Sequence, residues 1–148
     1  MSRIDYYKTD PEIVNKLLAV GKQLDASPVD HKLRALLELR VSQINGCVYC
    51  TDLHSKQARA RGETQQRLDS LPVWPESPFF DDRERAALAW AESLTLISEC
   101  HAPDDLYEDL QAHFSEKEIV ALTMVIALIN TWNRISISFG KKPDAEKK

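Results

Sequence analysis

From Ile119 to Trp132 the chain carries no charged side chain and is apolar at almost every position, so it has no polar face to turn toward water. A segment of that kind is either a membrane span or a helix surrounded by protein. It is shorter than the roughly 20 apolar residues that a bilayer crossing needs, and it contains Asn130. It therefore reads as a buried helix, opened by the capping box Ser115-Glu116-Lys117-Glu118. Leu33, Ala35, Leu36, Leu37, Leu39, Val41 and Ile44 likewise cover nearly the whole circumference of a second helix. Two helices apolar all round, with no strand-like alternation elsewhere, predict an all-α fold. A chain of 148 residues offers few positions enclosed on every side, so part of this apolar surface is expected to face another copy in a homo-oligomer.

Capping and breaking residues divide the rest. Asp10 before Pro11 starts a first helix that runs to about Leu24; Ser27-Pro28 breaks the chain, and Asp30 opens the second helix. Asn45-Gly46 ends that helix, because both residues tolerate the left-handed conformation, and Cys47 then starts a third that runs to about Arg61 before Gly62. Thr64 caps a short turn through Leu68. Leu71 to Pro78 holds three prolines and is expected to be irregular, covering part of a site. Asp81 begins a fourth helix with Ala86, Leu88, Ala89, Trp90, Leu94 and Ile97 inward; Pro103 begins a fifth that reaches about His113. The expectation is one compact domain of about six helices over residues 1–148, with a charged, frayed tail at 141–148.

Nineteen Lys and Arg against 23 Asp and Glu give a net charge of −4, with no basic stripe to follow phosphates, so nucleic acid is not an expected partner. Neither is a membrane. The N-terminal stretch has no signal core or Arg-rich transit pattern, and a cytoplasmic location is expected. In a reducing compartment a Cys-x-x-Cys pair is more often redox-active or metal-binding than structural.

With a helix starting at Cys47, the residues Cys47, Cys50 and His54 share one face over two turns. The free N–H groups at a helix start favour a thiolate, and a neighbouring imidazole can take or balance the proton. A second thiol one turn away can resolve an oxidised sulfur as a disulfide. Two other readings exist: an inert buried pair, and a zinc site, which would need His54 and a distant fourth ligand. Glu38 interrupts the apolar helix and requires a partner. It serves either as a proton relay to His54 and the thiols, its pKa raised by burial, or as a structural ion pair with Arg40 or Arg134. His31, His101 and His113 read as helix-end or surface residues, and Cys100 as a packing residue or bystander thiol.

The run Ser42-Gln43-Ile44-Asn45-Gly46-Cys47-Val48-Tyr49-Cys50-Thr51-Asp52-Leu53-His54 resembles the AhpD-like, carboxymuconolactone decarboxylase superfamily. The resemblance extends through Glu38-Leu39-Arg40-Val41, Ala58, Gly62-Glu63-Thr64 and Ile129-Asn130-Thr131-Trp132-Asn133-Arg134-Ile135, most of residues 30–140. It implies the alkylhydroperoxidase-core branch, which carries the cysteine pair, rather than the decarboxylase, which lacks it. From it follow an all-α fold, oligomers commonly built as trimers of dimers, and thiol-dependent reduction of organic hydroperoxides by a dithiol protein or small-molecule reductant, with no cofactor or metal. It assigns Cys50 as peroxidatic, Cys47 as resolving and His54 as assisting proton transfer. In well-known alkylhydroperoxidases the glutamate lies one turn upstream, where this chain has Ala35; Glu38 suits the shorter branch. A dithiol–disulfide electron carrier and a non-enzymatic helical assembly are the alternative functions.

Overall fold

The computed structural model describes residues 2–145, and among them there is no β-strand. The helices are α1 (Tyr6–Thr9), α2 (Pro11–Leu24), α3 (His31–Asn45), α4 (Val48–Ala60) and α5 (Gln65–Ser70), then a 3-10 helix (Leu71–Glu76). α6 (Asp82–Thr95), α7 (Ile97–Cys100), α8 (Asp104–His113) and α9 (Glu116–Ser138) complete the described chain. The all-α expectation holds, with more helices than the six anticipated because several are only one or two turns long.

The capping residues act as their chemistry requires. Side-chain oxygens of Asp10, Asp30, Thr64, Asp81 and Ser115 each accept a backbone N–H of the first helical turn. Asp81 with Glu84, and Ser115 with Glu118, form reciprocal capping boxes. Gly46 closes α3 in the left-handed region at φ 69°, and this turn places Cys47 as the N-cap of α4.

α3 is the axis of the fold and packs against α4, α6 and α9. Every residue from Leu33 to Leu39 is buried within the single chain, so its all-round apolar surface needs no second subunit. The fully enclosed centre comprises Leu36, Leu37, Leu39 and Val41 of α3, Leu71, Leu88, Leu110, and Leu122, Val125 and Ile126 of α9. Burying each Leu or Ile is worth about 1.5–3 kcal/mol. α9 is 23 residues long, which makes it long and apolar enough to cross a membrane by length and composition, but half of its most apolar window is buried against its own protein. It also exposes Val120 and Met124, at 58% and 52%.

Polar groups tie α3 to α9 at the end where Gly46 lies. Asn45 Nδ2 donates to Oδ1 of both Asn130 and Asn133, each at 2.9 Å. Asn133 Nδ2 donates to Ser42 Oγ at 3.0 Å, and Ser42 Oγ donates to the Glu38 carbonyl at 2.7 Å. Asn133 and Ser42 are wholly buried, so this chain of hydrogen bonds is shielded from water and sets the register of the two helices.

Three expectations are corrected. Leu71–Glu76 is helical in the 3-10 sense and kinked at Val73; it does not line the cavity that holds Cys50, and Trp74 Nε1 donates to Glu92 Oε1 at 2.9 Å. Ile97 does not face inward; α6 ends at Thr95, and Ile97 is 52% exposed in α7. The charged tail is anchored at its first residue: Lys141 N–H donates to the Ser136 carbonyl at 2.9 Å, and its Nζ lies 4.3 and 4.2 Å from the ring centroids of Tyr7 and Tyr49. Residues 146–148 of that tail lie outside the described residues.

An alanine at position 46 would meet no atom within 4 Å, so its cost is conformational. Gly46→Ala is expected to destabilise the protein by about 1–2 kcal/mol, the penalty of a left-handed L-residue, read as a lower urea midpoint at unchanged slope. An unchanged midpoint would show that the turn before Cys47 does not depend on glycine.

Candidate active site

α4 begins with sulfur chemistry. Cys47 Sγ accepts the Cys50 N–H at 3.3 Å, so a cysteine fills the N-cap place that Asp or Ser fills elsewhere. Cys47 and Cys50 are joined as a disulfide with their Cα atoms 5.3 Å apart, and Cys100 is free and exposed at the end of α7. Of the two readings for Cys100, packing residue is ruled out. Both bonded cysteines are almost inaccessible, Cys47 at 1% and Cys50 at 3%.

The two sulfurs differ in what they face. A cavity of about 370 Å³ is lined by Cys50, His54, Glu38 and Arg34, and by an apolar wall that includes Leu53, Leu128, Ile129 and Trp132. Cys47 does not line it. Tyr6 and Tyr7 of α1 and Tyr49, which stands between the two cysteines, close one side.

His54 Nδ1 lies 3.1 Å from Glu38 Oε2 and 3.0 Å from Gln57 Oε1. A carboxylate accepts only, so Nδ1 carries the proton and the basic lone pair of a neutral His54 is on Nε2. Glu38, 7% exposed, is held from its other side by Arg34 Nε at 2.7 Å. Arg34 continues to Asp25 Oδ1 at 2.7 Å and to the Gly21 carbonyl at 3.4 Å. The site thus contains a chain of ion pairs Asp25–Arg34–Glu38–His54, drawn from the end of α2, from α3 and from α4, enclosed at Arg34 and Glu38 and open to solvent at Asp25.

This arrangement corrects the partner expected for Glu38. Arg40 pairs with Glu92 at 2.7 Å, and Arg134 is exposed and hydrogen-bonds Asn130 on its own helix. Nor is the Glu38 carboxyl raised. Burial pushes it up, but the hydrogen bond and charge of His54, then those of Arg34, outweigh burial and hold it below the ordinary value. Glu38 is therefore held as an anion, ion-paired to Arg34 and in contact with His54 Nδ1, which is the ion-pair reading with a different arginine. His31, His101 and His113 stand away from the cavity. Among the described residues, no group of three or more His, Cys, Asp or Glu side chains is gathered to hold a metal ion. Arg34, Gln57 and Tyr49 escaped the sequence reading, although Arg34 is four residues before Glu38 and Gln57 three after His54, spacings that bring side chains together on a helix.

The sequence model of the carboxymuconolactone decarboxylase family matches residues 11–93, and the chain belongs to that family. It is 40% identical to the uncharacterized protein YdfG of Bacillus subtilis over 95% of each chain. It is 34% identical to the uncharacterized protein YnjA of Escherichia coli, over 70% of this chain and 57% of that one. Among solved structures, a protein of unknown function from Agrobacterium tumefaciens, suggested to be the antioxidant defence protein AhpD, superposes with a TM-score of 0.96 at 42% identity, over 99% of this chain and 100% of that one. The debrominase Bmp8 shares the fold with a TM-score of 0.84 at 22% identity, over 93% of this chain and 74% of that one. The family is named for a decarboxylase and is enzymatic in general, and this chain carries the AhpD-like Cys-x-x-Cys pair.

Because the native Glu38 carboxyl lies below its ordinary value of 4.5, its contribution to stability is complete above that value and is lost as pH falls through the lower native one. Glu38→Gln is therefore expected to lower the urea midpoint at about pH 6 and to narrow its difference from the wild type near pH 3. A deficit as large in acid as at neutral pH would show that the carboxylate charge is not what matters.

Proposed function

We propose that the protein is a thiol-dependent peroxidase that reduces organic hydroperoxides, with Cys50 as the peroxidatic and Cys47 as the resolving cysteine. The observation that carries this reading is that Cys50 faces a ligand-sized cavity together with His54, whereas Cys47 does not. Family likeness points the same way. His54, its Nδ1–H engaged by Glu38, takes the Cys50 thiol proton on Nε2. The thiolate attacks one oxygen of the hydroperoxide, the S–O bond forms as the O–O bond breaks, and the proton passes to the departing alkoxide to give an alcohol. Cys47 then attacks the sulfenic sulfur and water leaves, closing the disulfide. A dithiol reductant returns the two electrons by thiol exchange, entering through the cavity to attack Cys50.

The carrier alternative is less well supported, because two sulfurs at 1% and 3% exposure suit a small molecule in a cavity better than docking to a protein thiol. The helix dipole alone would favour a Cys47 thiolate, since its sulfur receives the amide at the helix start. The cavity outweighs that preference, because the nucleophile has to meet the substrate. We also propose a homo-oligomer, with Val120 and Met124 of α9 in its interface.

In single-turnover oxidation by cumene hydroperoxide, Cys50→Ser is expected to abolish the first step. Cys47→Ser should leave that step intact and accumulate a dimedone-reactive sulfenic acid on Cys50. His54→Ala should slow it by about 10²–10⁴-fold, the usual worth of a general base. Dimedone labelling of Cys47 in Cys50→Ser at the wild-type rate would reverse the assignment. Light scattering at micromolar concentration should give a mass that is a multiple of 16.9 kDa; 16.9 kDa itself would remove the oligomer.

A further inference from the structure

The chain carries a net charge of −4, yet its ligand-sized cavity is lined by more cations than acids: Lys22, Arg34 and Arg61 against Asp25 and Glu38. The two acids are already engaged. Asp25 and Glu38 both accept from Arg34 at 2.7 Å, and Glu38 also holds His54. Arg34 is buried and has its Nε and Nη1 committed to these carboxylates.

Arg61 and Lys22 are different. The half-buried Arg61 uses Nη1 to donate to the His31 carbonyl at 2.9 Å, a neutral acceptor that leaves its charge unmatched. Among the described residues neither Arg61 nor the exposed Lys22 has a carboxylate within ion-pair distance. Both line the same cavity as Cys50, whose remaining wall is aromatic and aliphatic. An uncompensated guanidinium and ammonium beside an apolar cavity recognise an anionic group on an otherwise apolar ligand, and a planar guanidinium suits a carboxylate best. A local excess of positive charge on an acidic protein also draws such a ligand toward the cavity.

Resting on the peroxidase reading above, we infer that the substrate is an aryl or alkyl hydroperoxide bearing a carboxylate, with Arg61 and Lys22 taking the carboxylate while the hydroperoxide reaches Cys50. The same carboxylate chemistry could reside on the reductant, so the test isolates the oxidation step, from which the reductant is absent.

The reduced full-length protein is mixed in single turnover with cumene hydroperoxide carrying a para-carboxylate, and separately with its methyl ester. In parallel, equilibrium binding of the two corresponding alcohols is measured. A charge-assisted contact is expected to favour the acid by about tenfold or more in rate and in binding, less at high salt. The double variant Lys22→Met, Arg61→Met should bring the acid-to-ester ratio close to one. Equal rates for acid and ester in the wild type, or a preference that survives in the double variant, would each overturn the inference and leave the peroxidase reading standing. If neither hydroperoxide oxidises Cys50 but the acid alcohol still binds more tightly, the peroxidase reading fails and the carboxylate site stands. Equal binding of the alcohols without oxidation removes both.

Discussion

A carboxylate enclosed in the central helix of a small protein must be surrounded by positive charge, and the way Glu38 meets that need organises the site. Arg34, one turn earlier on α3, supplies one cation and reaches on to Asp25 and the Gly21 carbonyl, which fixes the end of α2. His54 supplies the other partner from α4. Three helices therefore converge on one anion. Breaking such a buried pair leaves a charge without compensation, at a cost of about 3–5 kcal/mol. The same contact sets the tautomer of His54, so what stabilises the fold also leaves Nε2 basic.

Much of this is legible in the amino-acid sequence alone. The helix starts at Asp10, Asp30, Thr64, Asp81 and Ser115 and the stop at Gly46 follow from local chemistry, and there local chemistry prevails. The Cys47, Cys50 and His54 face is likewise a matter of helical spacing. What could not be read is tertiary. Glu38 had Arg34, Arg40 and Arg134 within plausible reach, and only the packing of α2, α6 and α9 decides that Arg40 goes to Glu92 and Arg134 to Asn130. Burial alone would raise Glu38, but the fold that buries it also brings His54 and Arg34 against it, and they outweigh the low dielectric. Periodicity overstated how far α6 continues, since Ile97 follows a break at Leu96.

The fold by itself leaves the chemistry open, as the likeness to a debrominase makes plain. The chemistry lies in the groups around one cavity: one sulfur inside, one outside, an imidazole in contact with a carboxylate, and two cations with no carboxylate within ion-pair distance. In the disulfide state Cys47 is sealed behind Cys50 and acts as the helix cap. The sulfur that caps α4 is also one half of the redox couple, so the disulfide chemistry and the start of α4 share one atom.

The aromatic side of the cavity is assembled from parts far apart in sequence. Tyr49 stands inside the Cys-x-x-Cys loop, Tyr6 and Tyr7 of α1 line the same cavity, Lys141 Nζ lies 4.2 Å from the Tyr49 ring centroid, and Arg3 N–H donates to the Phe139 carbonyl at 2.8 Å. Contacts of such separation close late, because the loop entropy is lost before the contact repays it. The cysteine helix therefore rests on local contacts, whereas the wall beside it rests on long-range ones. Cys47 and Cys50, at 1% and 3% exposure, thus owe their enclosure to segments that only the tertiary fold brings together.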